Sequence, residues 1–268
     1  MLTITTLASG SSGNSLLVSA GDTHILIDAG ISCRRITTAL SQLNIDPAAL
    51  SAVLVTHEHS DHICGLSTMV KKLPVPIYAS AGTARYLTCR AGILEERLRP
   101  FCAGDDFFVG PLHCTSFSTP HDAADSVGYT VELDGCKLAL ATDLGHVTDP
   151  VRRAVLGSQL VVLESNHDED WLRSGSYPYY LKQRILGARG HLCNEACAQL
   201  AAEAVQAGAH TVILAHLSHE NNTPVRAFDV TAHRLSAAGI DPERHVRLAV
   251  APRSEPGQTY SVEEAVSC

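Results

Sequence analysis

The stretch Val55-Thr-His-Glu-His-Ser-Asp-His-Ile-Cys-Gly65 places three histidines and two carboxylates within six residues, directly after a short apolar run. Ala52–Thr56 reads as a strand and Asp61–Lys72 as the helix after it, so the cluster sits on a strand-to-helix loop. His57 and His59 are two apart; in an extended loop their rings point the same way and can share one ion. Asp61 and His62, at the start of the helix, can face a second ion. Imidazole and carboxylate together suit zinc, manganese or iron. The plain alternative is a polar surface loop that carries histidines by chance, and the rest of the chain decides between the two.

A metal site needs further ligands at the ends of other strands, and three residues stand in that context. His121 follows the strand Leu112–Ser118 in FSTPHDA, Asp143 ends the strand Lys137–Thr142 in LALATDLG, and His216 ends the strand Thr211–Ala215 in TVILAHLSHE. Taken singly, a strand-end aspartate is often a turn or helix cap and a strand-end histidine is often only half-buried. Taken with the six-residue cluster, they favour ligation. His219, three residues on, competes with His216, which comes straight off the strand. Asp28 ends the run HILIDAG and reads by itself as a turn residue before Gly30.

The chain has 268 residues, 45% of them hydrophobic and 18% charged, which excludes disordered and fibrous classes. Strands are expected at Leu2–Leu7, Ser15–Ser19, His24–Asp28, Ala52–Thr56, Ile77–Ala79, Leu112–Ser118, Val127–Leu133, Lys137–Thr142, Leu160–Leu163, Thr211–Ala215 and Val246–Val250. Helices are expected at Cys33–Leu43, Asp61–Lys72, Gly82–Ala91, Pro150–Leu156, Tyr179–Gly187, Asn194–Ala207 and Pro224–Ala238. The first half is strand-heavy and the second alternates strand with helix, which predicts two sheets with helices outside, an α/β sandwich in one domain spanning 1–268. The polar tail after Pro252 is expected to add little beyond a last strand near Thr259–Val262. Nine scattered cysteines without a CxxC pair read as reduced thiols, and no segment reaches the length of a membrane span, so the expected location is the cytoplasm. A net charge of -8 argues against a general polyanion binder.

The order His-x-His-x-Asp-His, then His, then a strand-end Asp, then a late strand-end His resembles the metallo-β-lactamase fold superfamily over most of the chain. Within it, ASGSSGNS, HEHSDH, STPHDA, TDLG, the ESNHD run, GHLCNEA and AHLSHENN are similar to the YycJ-like branch, related to the RNase Z and RNase J nucleases. The resemblance implies an αββα sandwich of two packed mixed sheets. It implies two divalent ions (Zn, Mn or Fe): His57, His59 and His121 on one, Asp61, His62 and His216 on the other, and Asp143 bridging. It also implies that Asp28 supports the site. The β-lactam hydrolases of this fold commonly carry a cysteine at the bridging position, so Asp143 speaks against that activity; His59 speaks against the flavodiiron type, which has glutamate there. RNase J-like enzymes carry an inserted RNA-gripping domain, and no stretch here is long enough to be one.

Two ions would activate a water and stabilise the attacking and leaving oxygens. Asp61 can accept a proton, and His191, ahead of the helix at Asn194, matches in order of elements a histidine that faces the scissile phosphate in the RNase Z nucleases. The segment from Trp171 to Asn194 holds Arg173, Lys182, Arg184 and Arg189 with Trp171, Tyr177, Tyr179 and Tyr180, and no Asp or Glu. It reads either as a substrate lip for single-stranded nucleic acid, with Lys182, Arg184 and Arg189 as contacts, or as an amphipathic helix with a solvated basic face. Ser9–Asn14 reads as a Gly/Ser turn, and no roles are assigned to Glu164, Asn166, His167 or Asp168. The function implied by the resemblance is a metal-dependent phosphodiesterase, a 5′ to 3′ exonuclease on DNA. Two other readings stay open: a hydrolase of a small cyclic phosphodiester, lactone or thioester, and a binding module in which the metals are structural.

Overall fold

The apolar run ahead of the histidine cluster is the strand β4 (Leu50–Val55), an interior strand of the first of two sheets. The computed structural model describes residues 1–262. The first sheet also contains β1 (Leu2–Ala8), β2 (Ser15–Ala20), β3 (Thr23–Ile27), β5 (Ile77–Ser80), β6 (Leu98–Phe101) and β14 (Thr259–Val262), in the spatial order β14-β1-β2-β3-β4-β5-β6. The second contains β7 (Asp106–Val109), β8 (Leu112–Ser118), β9 (Val127–Leu133), β10 (Cys136–Ala141), β11 (Leu160–Glu164), β12 (Thr211–Ala215) and β13 (Arg247–Val250), in the order β13-β12-β11-β10-β9-β8-β7. Each is mixed: β3 to β6 run parallel, as do β10 to β13, and the remaining pairings are antiparallel.

The helices are α1 (Cys33–Gln42), α2 (Ser60–Ile63), α3 (Leu66–Lys72), α4 (Ala81–Ala91), α5 (Asp149–Val155), α6 (Glu169–Ser174), α7 (Tyr179–Leu186), α8 (Asn194–Gln206) and α9 (Pro224–Ala237). The period of two along the central strands builds the layers. Ala52 and Leu54 of β4 face the other sheet, packing with Leu112, Tyr129, Leu140 and Val162. Val53 and Val55 face outward to Ile36 and Leu40 of α1, Met69 of α3 and Leu87 of α4. In β11 and β12 the split is the same: Val162 and Ile213 point between the sheets, while Val161, Leu163, Val212 and Leu214 meet Val155, Leu200 and Leu235 of α5, α8 and α9. Strands buried on both faces read as continuous apolar runs, and each buried Val, Leu or Ile contributes roughly 1.5–3 kcal/mol. The result is the expected helix-sheet-sheet-helix sandwich. Tyr129 Oη donates to Val55 O at 2.6 Å and Val127 N to Thr56 O at 3.0 Å, which clamps the two sheets together beside the histidine loop.

Several expectations change. Asp61–Lys72 is two helices, α2 and α3, broken at Cys64-Gly65. A Cβ on Gly65 would run into the carbonyl of Ile31, and Gly65 N donates to Ala29 O at 2.8 Å, so this point of the chain is pinned against the β3–α1 loop. The strands β6 and β7 were not expected; both have four residues and lie at sheet edges, and β6 contains Pro100, which an edge strand tolerates. The tail after Pro252 is tied in before β14: Arg253 Nη2 donates to Ser218 O, Arg35 Nη2 to Ser254 O and Gly257 N to Thr6 O. Cys268 lies outside the described residues. Among these residues, no helix is long and apolar enough to cross a membrane.

Candidate metal centre

All the residues of interest leave the carboxyl ends of strands, where an open α/β sheet exposes loops to a crevice. His57 follows β4, His121 follows β8, Asp143 follows β10 and His216 follows β12. Five non-glycine residues among those described have positive φ, and three of them belong here: Asp28 at 61°, Asp143 at 59° and His216 at 57°. The left-handed backbone costs an L-residue about 1–2 kcal/mol, so three instances in one cluster mark a site whose donor directions are held by the surrounding structure.

The structure brings the seven sequence-predicted donors together. One atom each of His57, His59 and His121 lie within 4.8 Å of one another, as do atoms of Asp61, His62 and His216, and of His57, His62 and Asp143. His121 Nε2 is 3.3 Å from His59 Nδ1. His62 Nε2 and His216 Nε2 are each 3.5 Å from Asp61 Oδ2. Asp143 lies between the two groups, with Oδ2 3.4 Å from His62 Nε2 and Oδ1 3.6 Å from His121 Nε2. His57 Nε2 and Asp143 Oδ2 are buried without a hydrogen-bond partner. Unsatisfied buried imidazole and carboxylate atoms that converge on one place are what a cation satisfies, so the donor set fits divalent metal. His219 is exposed and bonds Glu220.

Behind the donors, most of the ring nitrogens that face away have partners. His62 Nδ1 is 2.7 Å from Asp28 Oδ2, and Asp28 is itself held by Thr56 N and Thr56 Oγ1, both donating at 2.8 Å. His57 Nδ1 is 3.1 Å from Thr56 Oγ1, and His121 Nδ1 is 3.1 Å from Gly190 O. His216 Nδ1 is 2.7 Å from Glu164 Oε1, and the same oxygen is 2.8 Å from His191 Nδ1. Glu164 Oε2 accepts from Leu144 N at 2.7 Å and Leu192 N at 3.1 Å. Such partners fix the tautomer and aim of ligand imidazoles. Ser9 Oγ accepts from His216 N at 2.8 Å; Asn14 Oδ1 accepts from Gly10 N at 2.9 Å and its amide nitrogen lies 3.4 Å from Asp61 Oδ2. The Ser9–Asn14 turn is thus part of the site's scaffold.

The electrostatics follow from four carboxylates, Asp28, Asp61, Asp143 and Glu164, gathered at one place. Burial alone would lower the pKa of His216, but the field of Asp143 and hydrogen bonds to Asp61 and Glu164 raise it to about 10. Burial opposes charge on His62 too, and Asp143 and Asp28 outweigh it, holding its pKa well above the ordinary value. His57 goes the other way: burial, then the neighbouring His62, keep it well below. Burial would push Glu164 up, but His191 and His216 bring it down to about 2. The pocket therefore stays anionic and draws positive charge, as protons or as metal.

His191 lies at the edge, with its side chain 20% exposed and Nδ1 3.8 Å from Asp143 Oδ1. The basic segment is placed differently from a free lip. Arg184 Nε and Nη2 bond the two oxygens of Asp122 at 2.5 and 3.2 Å, and Arg189 Nε donates to His121 O at 2.8 Å and Nη2 to Ala123 O at 3.2 Å. Both brace the loop that carries His121. Lys182 Nζ donates to Arg173 O and Gly175 O, both at 2.7 Å. Asn166 Nδ2 donates to His216 O at 2.9 Å, and Asp168 caps α6 and pairs with Arg226. Burial holds His167 down at about 4.

Two seven-stranded mixed sheets between helix layers, with a histidine and aspartate cluster at the strand ends, define a metallo-β-lactamase-type fold. Residues 23–217 match the Beta-lactamase superfamily domain. The metallo-β-lactamase fold protein YhfI from Bacillus subtilis superposes with a TM-score of 0.69 at 17% identity, covering 97% of this chain and 100% of that one. The exodeoxyribonuclease YycJ of Bacillus anthracis is 39% identical over 217 residues, 81% of this chain and 82% of the relative. The exodeoxyribonuclease WalJ of Streptococcus pneumoniae is 36% identical over 240 residues, 87% of this chain and 88% of the relative. The chain belongs to the metallo-β-lactamase superfamily of hydrolases, in its YycJ/WalJ branch.

Proposed function

We propose that the protein is a two-metal phosphodiesterase acting on nucleic acid, as a 5′ to 3′ exonuclease on DNA, built as a single domain and working in the cytoplasm. The observation that carries the reading is the carboxylate Glu164, one oxygen of which ties the metal-facing ring of His216 to His191 at the open edge of the cluster. That couples a proton-carrying group to the metal site, which hydrolysis of a poor leaving group requires. The names of the YycJ and WalJ relatives support the substrate class.

Two ions balance the charge: four carboxylates carry −4, and two divalent cations supply +4. His57, His59 and His121 would hold one ion, Asp61, His62 and His216 the other, and Asp143, with an oxygen toward each group, the space between. When bound, the ions supply an activated water and charge stabilisation at the phosphate. Asp61, the most exposed of the carboxylates at 23%, is placed to take up the proton that the water loses. His191, oriented by Glu164 through Nδ1, presents its other nitrogen outward as proton donor to the leaving oxygen. Arg184 is half exposed where it pairs with Asp122, and can exchange that carboxylate for a phosphate; Arg189 brings the same loop into place, and Lys182 acts by ordering the α6–α7 turn. Tyr179 and Tyr180 of α7 are 77% and 73% exposed and Trp171 of α6 is 44% exposed, a surface on which bases can stack.

The test is one assay: protein loaded with Zn, Mn or Fe against 5′- and 3′-labelled single- and double-stranded DNA and RNA, beside bis(p-nitrophenyl) phosphate. Stepwise loss of nucleotides from the 5′ end of DNA is the expected result. Hydrolysis of the dye with every nucleic acid left intact refutes the nuclease reading and favours a small phosphodiester or ester, which the net charge of -8 suits. An Asp143→Ala protein that turns over at the wild-type rate would show the metals to be structural.

A further inference from the structure

The segment after β11 joins the two histidines that share Glu164. Asn166, two residues past Glu164 and 4% exposed, meets three parts of the chain. Its N–H donates to Leu192 O at 2.9 Å, next to His191, and its side-chain Nδ2 donates to His216 O at 2.9 Å. Its carbonyl accepts from Ser218 N at 2.8 Å. His216 needs such a hold, because it lies one residue past the end of β12 with a left-handed φ of 57°. The two polar groups of its main chain are taken by side chains from elsewhere: the N–H by Ser9 Oγ at 2.8 Å and the carbonyl by Asn166. A carbonyl only accepts, so the amide nitrogen of Asn166 is the atom that faces it.

Asn166 is in turn held by a closed set of amides. Asn222 Nδ2 lies 2.8 Å from Ser165 O, 3.1 Å from Asn166 O and 2.8 Å from Asn194 Oδ1. Asn194 Nδ2 donates back to Asn222 Oδ1 at 3.1 Å, and Ser165 Oγ donates to Asn194 Oδ1 at 2.7 Å. Asn194 is the first residue of α8, and Asn222 precedes the Thr223 cap of α9; both are buried. A buried polar network whose members all have partners is rigid. It fixes the end of β11, the start of α8 and the β12–α9 loop relative to one another, and these are the pieces that carry Glu164, His191 and His216.

We propose that Asn166 is a positioning residue that keeps His216 in step with His191, both on one oxygen of Glu164. The catalytic consequence rests on the nuclease reading. Glu164 Oε1 is 2.7 Å from His216 Nδ1 and 2.8 Å from His191 Nδ1, and the two ring centres are 5.3 Å apart. A slip of about 1 Å between the two loops takes one of these bonds out of range. Each ring meets the carboxylate through an Nδ1–H, which leaves Nε2 of His216 for the metal side and Nε2 of His191 for the leaving oxygen. Asn166 grips His216 through its side chain and the residue after His191 through its main chain, so the ligand and the proton donor are tied to the same short segment. It touches neither substrate nor ion and acts through the two rings.

The experiment compares Asn166→Asp and Asn166→Ala with Leu87→Ala, a core change in the helix layer of the other sheet that lowers stability away from the site. Asn166→Asp keeps the size and sets a carboxylate oxygen against the carbonyl of His216. Asn166→Ala removes the donor without adding charge, and carries the test if the aspartate variant does not fold. Proton NMR of the metal-free protein reads the two ring N–H groups on Glu164 as downfield resonances; Glu164→Gln identifies them by the loss of both, and His191→Gln by the loss of one. With metal saturating, kcat and KM are measured on DNA and on bis(p-nitrophenyl) phosphate. In the Asn166 variants the His216 resonance is expected to broaden or move upfield while that of His191 stays. Their kcat on DNA is expected to fall about 10- to 100-fold, with KM on DNA and kcat on the dye within a few-fold of wild type. Leu87→Ala is expected to keep both resonances and the ratio of the two kcat values. An unchanged His216 resonance in the Asn166 variants overturns the proposal, and so does the loss of both resonances, an equal fall on DNA and dye, or the same changes in Leu87→Ala. If the wild-type protein cuts no DNA, the nuclease reading fails, and the resonances alone decide what Asn166 positions.

Discussion

Glu164→Gln keeps the shape of a fully buried side chain and removes its charge and one of its two acceptors. Glu164 receives four donors: His216 Nδ1 at 2.7 Å and His191 Nδ1 at 2.8 Å on one oxygen, Leu144 N at 2.7 Å and Leu192 N at 3.1 Å on the other. The amide of glutamine can serve one pair and must set its own N–H groups against the other. With the carbonyl turned to the backbone, His216 and His191 both lose their acceptor; such charge-assisted bonds are each worth about 1.5–3 kcal/mol. Loss of a ligand's supporting carboxylate typically lowers metal affinity about 10–100-fold. Saturating metal restores that part. The loss at His191 is not restored, and it falls only on substrates whose leaving oxygen needs a proton. Metal content is measured after dialysis against graded chelator, and kcat at saturating metal with DNA and with bis(p-nitrophenyl) phosphate, whose phenolate leaves unaided. The expected result is kcat on DNA lower by about 100-fold and kcat on the dye within a few-fold of wild type. An equal fall on both substrates, or unchanged metal affinity, refutes the assignment of Glu164 as the tether of both rings.

Gly30→Ala should abolish metal binding and lower the yield of folded protein, because its Cβ would land on the carbonyl oxygen of Asp61; metal content and circular dichroism report it. Thr56→Val removes the hydroxyl that bonds Asp28 and is expected to cost roughly 1–3 kcal/mol in urea unfolding of the metal-free protein. Arg189→Ala frees the backbone at His121 and Ala123 and, if two ions bind as proposed, should weaken the one at His57, His59 and His121 by about tenfold and leave the other in place, as read by two-phase metal titration. His167 gives a pH signature. Its folded pKa, about 4, lies below the ordinary 6.5, so its contribution is complete above pH 6.5 and is lost as the pH falls toward 4, where the unfolded chain takes up the proton first. The loss is no more than about 3 kcal/mol, and His167→Gln should flatten the difference between urea midpoints across that window.

Much of the site could be read in the sequence because the central strands are buried on both faces. TVILA before His216, LALAT before Asp143 and AVLVT before His57 are apolar runs that stop at a polar residue, and that residue is where the chain reaches the crevice. LVVL before Glu164 has the same form, yet six further polar or charged residues follow Glu164, and nothing in the string tells which of them turns inward. Ser9 and Asn14 were hidden by the turn composition around them, since Gly and Ser explain a tight turn without any role at a site. The break at Gly65 is a tertiary effect: Gly65 N donates to Ala29 O and Asp61 O accepts from Asn14 N, so the hydrogen bond that would join α2 to α3 is given to other loops. The segment from Trp171 to Asn194 shows the limit of composition. It reveals an excess of cations, but not that Arg184 and Arg189 are engaged with Asp122 and the backbone of the His121 loop.

The supports of the cluster also explain why the centre and the fold are hard to separate. Asp28, on the β3–α1 loop, holds His62 and takes the N–H of Thr56 on the β4–α2 loop. Glu164, at the end of β11, holds His216 after β12 and takes the N–H groups of Leu144 after β10 and Leu192 before α8. Each buried anion is stabilised by main-chain donors from loops other than its own, so placing the carboxylate and assembling the crevice are one event. A metal-free chain then has a preformed but over-negative cavity, in which His62 and His216 keep their protons as counter-ions. Cations entering must displace those protons, which makes metal affinity rise with pH. With the donors locked in this way, the proposed choice of substrate falls to the parts that do not carry them, such as the exposed aromatic surface of α6 and α7.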